Sequence, residues 1–141
     1  MATLHFDCAL GVLAITDSQG TYTVRATSGT GACMNSPKCR NIPWQGPIPA
    51  GTYCLFRSEI SNPSVIGDIY RNLRYGNWGD WRVPLRNMNG GPVNSGRGGF
   101  YIHSGFIEGS AGCINIGWSP MTVRRVLRSI EEAEWSALWV E

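Results

Sequence analysis

Glycine and proline interrupt this sequence so often that only short secondary-structure elements fit between them. The 141 residues include 18 glycines and 8 prolines, which divide the chain into many brief apolar stretches. Such punctuation favours short strands joined by turns over long helices. Because 43% of the residues are hydrophobic and only 16% are charged, the chain has enough apolar surface for one packed core. We therefore predict a mainly β protein with a single domain over residues 1–141.

Alternation of apolar and polar residues predicts where the first strands lie. Leu4–Asp7 and Val12–Thr16 alternate, Asp17–Gly20 has the composition of a turn, and Thr21–Thr27 is an alternating run rich in β-branched residues. These segments predict an N-terminal meander of two or three antiparallel strands. We expect a long loop over residues 28–42 to follow them.

The rest of the predicted framework comprises three strands and one helix. One strand follows the rigid segment that ends at Gly51, and another covers 135–140. Trp81–Leu85 is predicted to be an edge strand, because proline at position 84 has no N–H for a ladder bond. Ser119 suits a helix N-cap and Pro120 the first helical position. The apolar face of that helix is formed at helical spacing by Val123, Val126, Leu127, Ile130 and Ala133.

The charge pattern and the apolar runs exclude several classes of protein. A net charge of +2 without any run of basic residues gives no indication of nucleic-acid binding. Eleven of the twelve cationic side chains are arginines, whose planar guanidinium pairs well with carboxylates and phosphates. No apolar run approaches the roughly 20 residues of a membrane span. The stretch 8–15 is apolar, but no Lys or Arg precedes it, so we expect a strand and its turn rather than a signal peptide.

Five cysteines leave at least one thiol unpaired in a monomer. If Cys113 is the unpaired one, the other four form two disulfides in one of three ways. Cys33 and Cys39 lie close together in a loop and are the favoured pair, which leaves Cys8 and Cys54 to join two strands. Disulfides would indicate an oxidising compartment, and the alternative is five reduced thiols in a cytosolic protein. The scarcity of histidine and the absence of C-x-x-C argue against a metal site.

Catalytic chemistry is indicated where a histidine ends a buried strand and a cysteine follows ten positions later. His103 ends the apolar run Phe100–Ile102, and Cys113 follows a glycine-rich loop. A strand–loop–strand hairpin would bring imidazole and thiol within hydrogen-bond reach, and the imidazole would then accept the thiol proton. The N–H groups of Gly112 and Cys113 would stabilise an oxyanion, and a backbone carbonyl near Ser104 would orient the ring.

Two motifs in this order resemble a known enzyme family. His103-Ser104-Gly105 followed by Ser110-Ala111-Gly112-Cys113-Ile114 is similar to the H-x-G…S-x-G-C signature of L,D-transpeptidases with the YkuD-type catalytic domain. Upstream, the segment 46–53, GPIPAGTY, resembles that family's G-P-x-P-x-G-x-Y entry into a core strand. The resemblance covers residues 44–118. It implies a β-sandwich of the YkuD type with one C-terminal amphipathic helix, and the most similar branch is the type VI secretion L,D-transpeptidase effectors.

The resemblance also implies roles for the motif residues. Cys113 would be the nucleophile and His103 the general base and later the acid. The Ser104 carbonyl would orient the imidazole, Gly112 would contribute to the oxyanion hole, and Ser110 would hold the nucleophile loop in shape. The bond attacked would be that between meso-diaminopimelate and D-Ala in a peptidoglycan tetrapeptide stem. No cofactor or metal is implied.

The sequence departs from the family pattern at several points. Ala111 stands where many members have histidine, Asn115 stands where many have arginine, and the loop between the motifs is short. The short loop would leave Cys113 more exposed, whereas crosslinking needs room for a second stem peptide. We therefore expect hydrolysis (L,D-carboxypeptidase activity) or exchange of D-Ala for another D-amino acid, rather than crosslink formation.

Aromatic and arginine side chains around the motifs are the candidates for the substrate groove. Aromatic rings would pack on glycan or on apolar parts of the stem, and arginines would bind stem carboxylates. The predicted substrate-binding residues are Trp44, Trp78, Trp81, Arg82, Arg97 and Trp118, with Tyr75 and Arg86 as further candidates.

The type VI branch implies a toxin secreted without a signal peptide that acts in the periplasm of a rival bacterium. It implies a cognate immunity protein, and we expect the enzyme itself to be a monomer. The alternative hypothesis is a non-catalytic, disulfide-stabilised β-module that binds glycan or protein, with Cys113 buried and inert. NlpC/P60-type endopeptidases are disfavoured, because their cysteine precedes the histidine in the chain.

Overall fold

The computed structural model describes residues 1–60, 81–88, 99–105, 110–117 and 119–141, and its strands form two sheets. The larger sheet has six strands in the order β3-β2-β1-β10-β5-β7. The smaller sheet has four strands in the order β4-β9-β8-β6. The strands are β1 Thr3–Asp7, β2 Val12–Asp17, β3 Gly20–Arg25, β4 Thr27–Gly29, β5 Gly51–Phe56, β6 Arg82–Pro84, β7 Arg86–Asn87, β8 Tyr101–His103, β9 Ser110–Asn115 and β10 Trp135–Val140.

The predicted N-terminal meander is confirmed. β1, β2 and β3 pair antiparallel, and the β2–β3 turn is closed by Asp17, whose carboxylate accepts the Gln19 N–H at 2.9 Å. The predicted strand 21–27 is not continuous, however, because the chain passes from the larger to the smaller sheet at Ala26. The first residues of the predicted long loop, Ser28 and Gly29, therefore belong to β4.

The predicted helix is also confirmed, as α1 Pro120–Glu131. Ser119 caps it, its hydroxyl accepting the Thr122 N–H at 3.5 Å, and proline occupies the first position. Val123, Val126 and Ile130 are buried, so the apolar face packs on the core. The single cluster of buried side chains combines residues of α1 with residues of both sheets. The fold class is therefore mainly β, and the described residues form two sheets and one C-terminal α-helix.

Of the two predicted disulfides, one is present and one is not. Cys33 and Cys39 are bonded, whereas Cys8 and Cys54 are free thiols. Cys54 is level with Ala137 and, one strand further, with Thr3, five residues before Cys8. Five strand residues span about 16 Å, far more than the Cα separation that a disulfide allows. Burial raises the pKa of the Cys8 thiol.

Among the described residues no helix is both long and apolar enough to cross a membrane. The edge strand predicted around Pro84 is β6, which among the described strands pairs with β8 alone and lies at the end of the smaller sheet. The final predicted strand is β10, which lies between β1 and β5 in the middle of the larger sheet. The smaller sheet carries both motif residues, His103 on β8 and Cys113 on β9.

Candidate active site

His103 and Cys113 lie on one face of two parallel neighbouring strands. β8 and β9 pair parallel, with Ile102 opposite Ile114 and His103 opposite Asn115. The predicted hairpin is therefore wrong, because a hairpin would make these strands antiparallel. Cys113 lies two residues before Asn115, which puts it diagonally across from His103, at a Cα separation of about 8 Å. Both isoleucines are buried on the opposite face, so imidazole and thiol share the face away from the core.

The His103 ring is held by the main chain. Its Nδ1 lies 3.1 Å from the Ser104 carbonyl oxygen, which is the contact predicted from the sequence. Because a carbonyl only accepts, this bond selects the tautomer with the proton on Nδ1 and leaves the Nε2 lone pair available. Burial lowers the pKa of His103, the Ser104 hydrogen bond opposes this, and the Arg82 cation lowers it further. The neutral imidazole is thus the favoured form near pH 7, as a general base requires.

Arg82 faces His103 across the other edge of β8. The two residues are opposite each other in the antiparallel β6–β8 pair. The Arg82 guanidinium also lies 5.3 Å from the centre of the Tyr101 ring, a cation–π distance. A cation in this position disfavours a second positive charge on the imidazole.

The nucleophile segment interrupts the regular pairing of β9 with β4. Thr27 is opposite Asn115 and Gly29 is opposite Ser110, so a single residue of β4 faces residues 111–114. Such bulges are common beside active sites, because they redirect side chains and peptide groups. Gly112 lies in the bulge with a φ of 105°, a region that side-chain-bearing residues rarely adopt.

The residue of β4 that faces the bulge is Ser28. It is fully buried, and its hydroxyl donates to the Gly112 carbonyl oxygen at 3.2 Å. The same hydroxyl accepts the N–H of Ile48 at 2.9 Å. The Asn35 carboxamide oxygen accepts the Ser28 N–H at 2.8 Å. Ser28 is not predicted from the sequence, because its position has the composition of a loop and the short Thr-Ser-Gly sequence carries no motif.

The upstream Pro- and Gly-rich segment packs against this region. A Cβ atom at Gly46 would overlap the carbonyl oxygen of Cys39, so the segment lies directly on the disulfide loop. At its other end, Tyr53 is buried and its hydroxyl donates to the Pro49 carbonyl at 2.9 Å. The two sequence motifs therefore meet in space, with Ile48 joined to the nucleophile bulge through Ser28.

A groove of about 770 Å³ begins at the ends of β8 and β9. Gly105, Asn115 and Gly117 form one wall, and Asn115 is fixed there because its side-chain oxygen accepts the Gly117 N–H at 2.8 Å. β3 and β4 form another wall, where Arg25 is the only charged side chain among the described lining residues. The lining is otherwise largely apolar, so the groove is suited to a ligand that combines apolar parts with a negative charge.

The predicted substrate-binding residues have different outcomes. Trp81 is 1% exposed, so the prediction of a groove position is wrong, because its large apolar ring belongs to the buried core cluster. Trp44 is 80% exposed on a turn, but neither tryptophan lines the groove. Arg86 pairs with the Glu59 carboxylate, and its binding of a stem carboxylate stays a prediction. Four predicted residues and one side chain lie outside the described part of the structure, namely Tyr75, Trp78, Arg97, Trp118 and the side chain of Ser110.

Within the described ranges, no group of three or more His, Cys, Asp or Glu side chains is placed to hold a metal ion. The chemistry that the described residues offer is that of a thiol beside a neutral, main-chain-anchored imidazole. Such a pair can transfer the thiol proton to the ring and present a thiolate to an acyl carbon.

Comparison with known proteins identifies both a family and a fold. A family model described as the Tlde1 domain matches residues 22–134. No curated protein matches the chain. The solved structure of Bd1075 from Bdellovibrio bacteriovorus is similar with a TM-score of 0.62 and 13% identity, over 99% of this chain and 47% of that one. An L,D-transpeptidase from Mycobacterium smegmatis aligns with a TM-score of 0.49 and 14% identity, over 99% of this chain and 58% of that one. The chain thus spans about half the length of these structures.

Proposed function

Because the chain belongs to the Tlde1 domain family, the type VI secretion L,D-transpeptidase effectors, we propose that it is a cysteine-dependent peptidoglycan enzyme. Its substrate is the tetrapeptide stem, and it cleaves the bond between meso-diaminopimelate and D-Ala. The observation that carries this proposal is the His103 ring, whose Nδ1–H donates to the Ser104 carbonyl while burial keeps the ring neutral. On the same face of the neighbouring strand lies Cys113.

The first half of the reaction makes an acyl-enzyme. Nε2 of His103 accepts the thiol proton of Cys113, and the thiolate attacks the carbonyl carbon of diaminopimelate. The oxyanion that forms is stabilised by the N–H groups of Gly112 and Cys113. When the C–N bond breaks, the imidazolium returns its proton to the departing D-Ala amine. A thioester to Cys113 remains.

The second half of the reaction releases the acyl group. His103, again neutral, takes a proton from water, and attack of this water gives a tripeptide stem by hydrolysis. The amine of another D-amino acid can take the place of water, which exchanges the terminal residue. Crosslink formation would need room for a second stem peptide, so we propose water or a small amine as the acceptor.

The groove supports the choice of a carboxylate-bearing substrate. A tetrapeptide stem carries several carboxylates, and Arg25 is the charged side chain among the described groove-lining residues. Its guanidinium offers paired donors in the geometry of a carboxylate. We assign Arg25 to binding of a stem carboxylate beyond the scissile bond.

The biological setting follows from the family. The enzyme acts on peptidoglycan in the periplasm of a target bacterium after delivery by type VI secretion. A cognate immunity protein protects the producing cell. We propose that the enzyme works as a monomer. These steps need no metal or other cofactor, since thiol, imidazole and backbone N–H groups supply their chemistry.

The decisive experiment incubates the protein with purified disaccharide tetrapeptides and identifies the products by mass spectrometry. We expect loss of D-Ala in water and replacement of D-Ala when another D-amino acid is present. The Cys113→Ala variant should give neither product. Cys54→Ala is the matched control, since Cys54 is a second partly exposed free thiol on the larger sheet, and this variant should keep full activity.

A wild-type protein that leaves the tetrapeptides intact would overturn the proposal. Slow alkylation of Cys113 at neutral pH, together with intact tetrapeptides, would favour the non-catalytic β-module. Activity that survives Cys113→Ala would show that a different residue carries the chemistry.

A further inference from the structure

Three segments distant in sequence meet at the Ser28 hydroxyl. The hydroxyl donates to Gly112 O at 3.2 Å and accepts from Ile48 N at 2.9 Å, and Ser28 has no solvent exposure. A buried hydroxyl with both a donor and an acceptor role has one fixed orientation. Ser28 therefore holds the Gly112 carbonyl at a defined position relative to the rest of the domain.

The irregular pairing of β4 with β9 explains why a side chain makes this bond. Between the paired positions Thr27–Asn115 and Gly29–Ser110, one residue of β4 faces four residues of β9. The backbone of one residue cannot pair with the peptide groups of four. The Ser28 side chain reaches into the bulge and bonds one of these peptides, the one that joins Gly112 to Cys113.

The direction of this bond fixes the direction of the nucleophile's own N–H. Gly112 C=O and Cys113 N–H belong to the same planar trans peptide, so they point in opposite directions. With the carbonyl held toward Ser28 on the buried side, the Cys113 N–H points away from Ser28. Rotation of this peptide is permitted by the glycine at position 112, whose φ is 105°, so without the Ser28 bond the peptide has other orientations available.

We propose that Ser28 is a positioning residue for the oxyanion hole: its hydroxyl orients the Gly112–Cys113 peptide so that the Cys113 N–H meets the oxyanion formed on the acyl group. This role rests on the proposed function in requiring Cys113 to attack a carbonyl carbon. It does not depend on which acyl compound is attacked. It predicts that loss of the hydroxyl slows reactions that form an oxyanion and leaves other reactions of the thiol unchanged.

The test compares two reactions of Cys113 in wild type and in Ser28→Ala. 4-Nitrophenyl acetate acylates the thiolate through a tetrahedral oxyanion, which collapses to a thioester and 4-nitrophenolate. Iodoacetamide alkylates the same thiolate by direct displacement of iodide, with no oxyanion. Peptide mapping by mass spectrometry gives the rate of each reaction at Cys113 alone. We expect acylation to fall about tenfold to hundredfold, while the alkylation rate and its pH profile stay as in wild type.

Ser129→Ala is the matched control. Ser129 is an equally buried serine on a helix away from the nucleophile bulge, and its hydroxyl has three hydrogen-bond partners, namely Tyr22, Asp17 and the Arg125 carbonyl. Loss of the Ser129 hydroxyl should lower the free energy of unfolding without changing the ratio of the acylation rate to the alkylation rate at Cys113. With tetrapeptide as the substrate, Ser28→Ala should lower kcat and leave KM unchanged.

An unchanged acylation rate in Ser28→Ala would overturn the inference, as would an equal loss of acylation and alkylation, which indicates a purely structural role. A wild-type Cys113 that the ester fails to acylate would overturn it too. If wild type is inactive on tetrapeptides but the ester and iodoacetamide rates diverge as expected, the proposed substrate is wrong and the role of Ser28 stands.

Discussion

In the six-stranded sheet the central strands keep an unbroken register, whereas the four-stranded sheet loses register beside the candidate nucleophile. β1 pairs with β2 over five successive residues and β10 pairs with β5 over six. β4 and β9 share only two registered pairs, separated by a bulge on β9. The six-stranded sheet contains the first three strands and the last strand of the chain. All four strands of the smaller sheet lie between these in sequence.

Stability and chemistry depend on different sheets of this domain. A regular ladder satisfies every backbone group and buries alternate side chains, which stabilises the fold but leaves no peptide group aimed at a ligand. The bulge around Gly112 gives up ladder bonds and depends on a buried hydroxyl instead. The larger sheet is thus the part of the molecule whose disruption should cost folding, and the smaller sheet the part whose disruption should cost activity.

The largest expected effect is on folding and comes from the regular sheet. Leu138 is fully buried on β10, between β1 and β5. Leu138→Ala removes buried methyl groups and leaves a cavity, which lowers the free energy of unfolding by about 2–5 kcal/mol. Urea denaturation measures this loss. The rate of Cys113 alkylation under native conditions should stay unchanged, and a parallel loss of reactivity would refute the division between the sheets.

The next effect is on activity and comes from the bulge. Gly112 has a φ of 105°, so Gly112→Ala forces the peptide beside the nucleophile out of position. We expect a fall in tetrapeptide turnover of about a hundredfold. Gly20→Ala is the control, since Gly20 has a φ of 132° in the β2–β3 hairpin with open space around it. That variant should lose about 1–2 kcal/mol of stability and keep its turnover. Equal turnover in the two variants would contradict the special role of the bulge.

The features that the sequence predicted correctly are those set by neighbours in the chain. The meander follows from alternation and the Asp17–Gly20 turn, the helix from the Ser119 cap and the spacing of its apolar residues. The Cys33–Cys39 disulfide closes a short loop. The contact between His103 and the Ser104 carbonyl joins adjacent residues. Each of these requires only local geometry.

The features that the sequence did not predict depend on which strands pair with each other. β8 and β9 pair parallel although fewer residues connect them than a parallel crossover usually has, so the short spacing pointed to a hairpin. The change of sheet at Ala26 made Ser28 a strand residue facing the nucleophile. Trp81 is buried because β6 joins the smaller sheet with that side chain toward the core. The residue pattern of a single segment does not show which strand it will pair with.

A smaller effect is expected from a substitution in the groove beside the smaller sheet, which should weaken substrate binding without slowing the chemistry. Arg25 lines the groove at the end of β3, so Arg25→Gln should raise KM for the tetrapeptide about tenfold and leave kcat nearly unchanged. The control is Arg124→Gln, because Arg124 lies on α1 outside this groove. Steady-state kinetics measures KM and kcat for both variants. A fall in kcat with constant KM in Arg25→Gln would instead place this arginine at the reacting groups.

The smallest expected effect concerns the charge on His103. Arg82 lies opposite His103 on β6 and lowers the pKa of its imidazole, although burial is the larger cause. Arg82→Gln should therefore raise the pKa of His103, measured by NMR titration in a Cys113→Ala background. Since Arg82 is exposed, added salt should shrink the difference from the parent. Arg86→Gln is the control, because the Arg86 guanidinium is engaged by Glu59.

The same substitution changes how stability depends on pH. The pKa of His103 in the folded state lies below the ordinary value of 6.5, so the unfolded chain binds the proton first as pH falls. Stability is therefore lost as pH drops below about 6.5, until the folded imidazole is also protonated. Arg82→Gln brings the two pKa values closer and should make this loss smaller, as urea denaturation at neutral and acidic pH would measure. A larger loss of stability at acidic pH in the variant would mean that Arg82 stabilises the imidazolium. The smaller sheet would then favour a charged histidine instead of the neutral base.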